Sequence, residues 1–178
     1  MLPILGFFVF KGGMTGEGRY ILFRSAGVRW GLAAAGVVEV LPNLPVERPP
    51  GSPKALAGYA NLAGEPLAVV RLARLFGAEE PQGDELYHHI LRLAASAGGA
   101  RLGLLVERVL DADARADGMG PLSSSQSVNE AVVGNLVIGA DMVPLLDWGR
   151  LLLMEERQRI DELATAAAER LADLKAEV

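Results

Sequence analysis

The sequence predicts a mainly β protein of two related lobes followed by one amphipathic α-helix. Three observations carry this: short apolar segments bounded by Gly, Pro or charge, a repeat at a spacing of 76 residues, and a C-terminal stretch with the period of a helix face. With 178 residues, 51% of them hydrophobic, the chain has the apolar material for one compact unit and is not a long disordered segment.

The opening MLPILGFFVF carries Phe7, Phe8 and Phe10, but an apolar run of this length is about half of what a membrane-spanning helix needs. Lys11 follows the run instead of preceding it and glycines come next, which is not the pattern of a signal peptide. Residues 1–19 are therefore expected to be an apolar arm and Gly-rich turn on a cytoplasmic protein, serving as an edge strand or as an adhesive patch. Residues 20–23 and 28–32, separated by Ala26-Gly27, predict a hairpin. The segment VVEV (37–40) follows. The proline-rich 41–53 must then be extended or turning, because proline fixes φ and lacks a donor; a connecting loop outweighs a polyproline ligand here. Further strands are expected at 67–72, 87–93, 101–106, 132–138 and 142–146, and a polar loop at 111–127. Short strands in this arrangement point to barrels or sandwiches rather than a parallel βαβ sheet.

The repeat places 58–76 (GYANLAGEPLAVVRLARLF) over 134–152 (GNLVIGADMVPLLDWGRLL) without a gap. Gly58 and Gly134, Arg74 and Arg150, and Leu75 and Leu151 are identical, and both copies read as a hairpin whose second strand runs into a short helical turn. Beyond Trp148, Ile160, Leu163, Ala167, Leu171, Leu174 and Val178 recur at steps of 3 or 4. They predict a helix over 154–178, docked on the lobes or offered to a partner.

Reactive constellations are scarce. Zero cysteines exclude disulfides, thiolate metal sites and a cysteine nucleophile. P-loop, nucleophile-elbow and zinc-protease motifs are absent, and Gly16 and Gly18 are not completed into a dinucleotide fingerprint. His88 and His89 are adjacent in a predicted strand, so they point to opposite faces and cannot easily share a metal. Ser123, Ser124, Ser125 and Ser127 read as a solvated turn. A net charge of −5 with three lysines offers no footprint for nucleic acid. The expectation is an adaptor, with no catalytic residues, cofactor or metal.

The runs VRWGLAAAGVVEVLPN, ERPPGSPKALAGYANLAGEPLAVVRLARLFG, RLGLLVERV and VVGNLVIGADMVPLLDWGRLL, in that order within residues 20–153, resemble the CheW family of bacterial chemotaxis coupling proteins. The resemblance implies two intertwined SH3-like five-stranded β-barrels around a shared core, with no enzymatic activity. It implies a scaffold that bridges the signalling tip of chemoreceptors to the regulatory domain of a CheA-type histidine kinase. Such a protein is cytoplasmic, sits at receptor arrays and meets the membrane only through receptors. By motif, Val37, Glu39, Asn61, Leu62, Ala63 and Gly64 fall in the region that family members present to receptors. Leu102, Leu104 and Val106 fall on a second-lobe strand close to it, and core packing is the competing role for Leu62, Leu104 and Val106.

The chain departs from the family pattern at defined places. Asn61-Leu62-Ala63-Gly64 stands where N-L-R-G is usual, Ala68-Val69-Val70-Arg71-Leu72 where P-V-x-D-L is usual, and Val106-Glu107 where V-D is usual, whereas the second copy keeps Pro144 and Asp147. An arginine can make bidentate charge-assisted bonds that alanine cannot, so altered partner choice is expected. Two alternatives remain beside the coupling role: an adaptor that binds the kinase but not standard receptors, and a small β-barrel nucleic-acid binder, which the charge and the 6% aromatic content oppose. A hydrolase using Asp, Glu and the two histidines would need carboxylates converging on one pocket.

Overall fold

A computed structural model describes residues 18–79, 85–94, 99–122 and 130–176; the N-terminal arm and the serine cluster lie outside them. Arg19–Ser25 (β1) and Val28–Ala33 (β2) form the expected hairpin, turned by Ala26 at φ 52° and Gly27 at φ 72°. Two successive left-handed residues make a type I′ turn, whose twist matches that of the flanking strands. Val37–Pro42 (β3) leads into the proline-rich loop. Leu56–Leu62 (β4) and Glu65–Arg71 (β5) then form a second hairpin that runs directly into the single turn Leu72–Leu75 (α1). His89–Leu93 (β6), Leu102–Val106 (β7), Arg108–Arg115 (β8) and Gly118–Gly120 (β9) follow. Val132–Ile138 (β10) and Asp141–Leu146 (β11) make the last hairpin, and Met154–Ala176 (α2) is the C-terminal helix.

Two expectations are corrected. The polar loop at 111–127 takes in the end of β8 and all of β9: β8 is an edge strand, so most of its side chains face solvent and its composition reads as a loop although its backbone pairs with β1. Tyr87 and His88 precede β6, which begins at His89; Tyr87 ends a 3-10 turn and His88 is a connector.

Among the described residues the strands form two sheets, ordered β8-β1-β2-β11-β10-β9 and β3-β6-β7-β5-β4. The first unites the N-terminal hairpin with the C-terminal one, and the second is built from the chain between them. The lobes are thus intertwined.

The repeat holds to the residue. β10 occupies the positions of β4 shifted by 76, and both hairpins carry a bulge at the matching place, between Leu56 and Gly58 and between Val132 and Gly134. In each sheet the second hairpin strand pairs in parallel with a distant strand: Val69 opposite Gly103 in β7, and Leu145 opposite Gly31 in β2. The short β9 sets Gly120 opposite Asn135, and at the matching place in the other sheet Glu47 forms an isolated bridge with Tyr59.

Three apolar clusters result. Leu41, Ala60, Leu67, Val69 and Ile90 fill one sheet, and Leu22, Ala114, Leu136 and Val143 fill the other. The largest cluster takes Ile21, Phe23, Leu32 and Leu146 from one sheet and Leu91, Leu104 and Val106 from the other, with Leu72 of α1 and Ile160 of α2. Trp30 stacks on Phe76 across the lobes, ring centroids 4.7 Å apart.

Gly31 and Gly103 allow the parallel strands to pack. A Cβ at Gly31 falls 2.6 Å from Leu136 Cδ1, and one at Gly103 falls 2.5 Å from Ile90 Cγ2. Gly31→Ala and Gly103→Ala are each expected to lose about 1–3 kcal/mol in urea unfolding, and an unchanged midpoint would contradict this packing.

Candidate functional site

The β4–β5 hairpin ends in a second type I′ turn, with Ala63 at φ 54° and Gly64 at φ 84°. Alanine in the left-handed region is strained by roughly 1 kcal/mol, and the Asn61 side chain offsets this by accepting a 2.8 Å hydrogen bond from Gly64 N through Oδ1. Ala63 is exposed at the apex, and beside it the Glu65 carboxylate pairs with the Arg101 guanidinium. The tip therefore presents turn backbone, a compensated ion pair and a small side chain.

α2 lies against this hairpin. Its packing stripe consists of Ile160, Leu163, Ala164 and Ala167, where two alanines let the helix approach the sheet closely, while Leu174 is 61% exposed and Val178 lies outside the described residues. Tyr59 of β4 donates a buried 2.6 Å hydrogen bond to Ile160 O. Burial and the nearby Asp161 carboxylate push its phenol up to about 12. Asp161 Oδ1 in turn accepts from Ala100 N at 2.8 Å, and Arg159 Nε donates to Gly51 O at 3.4 Å. At the far end Lys175 Nζ donates to Gly64 O, at 3.4 Å.

The other residues singled out by motif divide by burial. Val37, Leu102, Leu104 and Val106 belong to the shared core, and Leu104 and Val106 are each 1% exposed, so these side chains pack the interior. β7, the strand of Leu102, Leu104 and Val106, is central in the same sheet as β4 and β5, which corrects its assignment to a second lobe. Glu39 stands opposite Arg92 across β3 and β6 and pairs with it at 2.5 Å, a half-buried ion pair within the sheet. Leu62 packs partly against the smaller core. The structure brings Asn61, Ala63 and Gly64 together at the surface with Glu65, Arg101 and Lys175, which the sequence reasoning missed. No periodic signal links Lys175 to the hairpin, because the contact is purely tertiary.

The Arg71 departure has a local consequence. Asp147 caps the turn after β11 by accepting from Gly149 N at 2.9 Å and pairs with Arg150, whereas Arg71 opens α1 without a side-chain cap. Arg71 instead lines a groove of about 320 Å³ with Leu44, Val46, Glu85, His88 and Leu105. Nearby in sequence, burial lowers the pKa of His89 and keeps its ring neutral. Among the described residues no group of three His, Cys, Asp or Glu is placed to hold a metal ion, and no helix is long and apolar enough to cross a membrane.

Two predictions follow from these contacts. Tyr59→Phe is expected to cost about 1–2 kcal/mol at neutral pH. The phenol's contribution is complete below its ordinary value of 10.0 and is lost as the pH rises to about 12, so the unfolding free energies of the two proteins should converge over that interval. Glu39→Ala, which leaves Arg92 half-buried and alone, is expected to lose about 1–3 kcal/mol in the same assay, and a neutral result would show that the pair is not structural.

Comparison with known proteins agrees with this architecture. A solved structure described as the scaffolding protein TtCheW from Thermoanaerobacter tengcongensis superposes with a TM-score of 0.68 at 21% identity, covering 78% of this chain and 94% of that one. No curated protein matches the chain. The family model for the CheW-like domain matches residues 19–156, from the first residue of β1 into the start of α2. The chain belongs to the CheW-like domain family.

Proposed function

We propose that this protein is a non-enzymatic coupling scaffold that joins chemoreceptors to a CheA-type histidine kinase in a chemosensory pathway. The observation that carries the reading is the CheW-like domain over 19–156, with its two sheets and with its Asn61–Gly64 turn at the surface. The proposed contacts are the β4–β5 tip for the receptor and a barrel-to-barrel association for the kinase's own CheW-like regulatory domain. Of the motif residues, Asn61, Ala63 and Gly64 are the proposed direct contacts. Val37, Leu102, Leu104 and Val106 support the sheet from within, and Glu39 does so through Arg92.

A second reading, an adaptor that binds the kinase and not standard receptors, draws support from Ala63, which places no charge at the apex. The two are separated by titrating the purified protein with the kinase regulatory domain and then adding a receptor signalling fragment. A saturable kinase complex that recruits the fragment supports coupling. Kinase binding alone supports the specialised adaptor, and no kinase binding defeats both. Ala63→Arg keeps the same left-handed turn and adds a charged donor, so it should tighten binding of a standard receptor fragment roughly tenfold. No gain in that titration would show that the apex does not read the receptor.

A further inference from the structure

α2 is held to the body unevenly along its length. Its first half is anchored by buried Ile160 and Ala164, by the Tyr59 hydroxyl on Ile160 O and by the Asp161 carboxylate on Ala100 N. Its last turns carry little apolar cover: Leu171 is half-buried, and Ala172, Asp173, Leu174, Lys175 and Ala176 are exposed. Yet this end reaches the apex of the β4–β5 hairpin, where Lys175 Nζ donates to Gly64 O at 3.4 Å. It sits so closely over Gly64 that a Cβ there would collide with the Lys175 ammonium.

A helix terminus with few buried contacts opens locally at low free-energy cost, while the anchored turns keep the helix in place. The hairpin beneath it is the reverse. Its turn is pinned by Asn61 on Gly64 N, and its strands pair without a break from Gly58 opposite Val69 to Leu62 opposite Glu65, so it is the more rigid side of the contact. The mobile side of this contact is therefore the helix end.

We propose that the last turns of α2 act as a strap at the β4–β5 tip, occupying Gly64 O and lying over Gly64 until a partner displaces them. This rests on the reading of the tip as the receptor contact. The strap makes the unbound hairpin less available and sets the affinity of whatever reads it, without any change in the sheets.

The test uses the full chain and two variants, Lys175→Ala and Leu171→Ser/Lys175→Ala, in two measurements. In the partner-free protein, amide exchange at residues 173–176, the end of α2 that loses its tether, should quicken in both variants while exchange within β4 and β5 stays unchanged. In titrations with a receptor signalling fragment, Lys175→Ala should bind about fivefold more tightly, the factor expected for one displaced hydrogen bond, and the double variant at least as tightly. Unchanged exchange together with unchanged affinity overturns the strap. Weaker binding also overturns it, by showing that the helix end is itself part of the contact. If the fragment binds none of the three proteins, the receptor reading of the tip fails, and the exchange result alone decides whether the end of α2 is tethered at Gly64 O.

Discussion

The parallel pairing of β11 with β2 is the constraint on which the rest of the structure depends. Leu145 lies opposite Gly31 and Leu146 opposite Leu32, so the last hairpin of the domain is hydrogen-bonded to the first. This register brings Ile21, Phe23 and Leu32 into one cluster with Val132 and Leu146, against which the intervening sheet packs Leu91, Leu104 and Val106. Closing so long a loop costs chain entropy that local contacts cannot offset, and burial of the shared cluster is what makes it favourable. The same non-local pairing places the fold among those that form slowly.

That constraint also shapes the surface. β7 lies between β6 and β5 and is buried along its whole length, so its leucines and valine serve the interior. β3 answers its half-buried carboxylate within the sheet, Glu39 to Arg92. What protrudes is the hairpin apex, where a two-residue turn leaves backbone groups and Ala63 in solvent, next to the compensated Glu65 and Arg101. A partner approaching there meets turn backbone and the end of α2 more than apolar side chains. Interfaces of that kind gain specificity and on-rate from charge placement, which makes the lack of a charge at Ala63 and the ammonium of Lys175 consequential.

Legibility in the sequence followed the range of each interaction. The hairpin at 19–33, the repeat at a spacing of 76 and the C-terminal helix were readable because each is written in neighbouring residues: a two-residue turn, a strand-turn-strand pattern occurring twice, a stripe at helical steps. β8 was not readable. Its exposed edge position gives it polar side chains, and only its pairing with β1, distant in sequence, makes it a strand. Tyr87 and His88 were misplaced for a related reason, since two residues of shift at a strand start leave the apolar pattern almost unchanged.

At the candidate site, Asn61-Leu62-Ala63-Gly64 was legible as a motif and its turn conformation follows from chemistry that residues 61–64 contain themselves. Whether Val37, Leu102, Leu104 and Val106 face a partner or the interior was not, because alternation along a strand tells which side chains share a face and not what covers that face. The sequence by itself determined the local elements and the twofold repeat. The tertiary structure alone decided which sheet each hairpin joins, that β7 is core, and that Lys175 rests on Gly64. These depend on contacts between residues far apart in the chain, and their free energy comes from the area buried between elements, which no local pattern encodes.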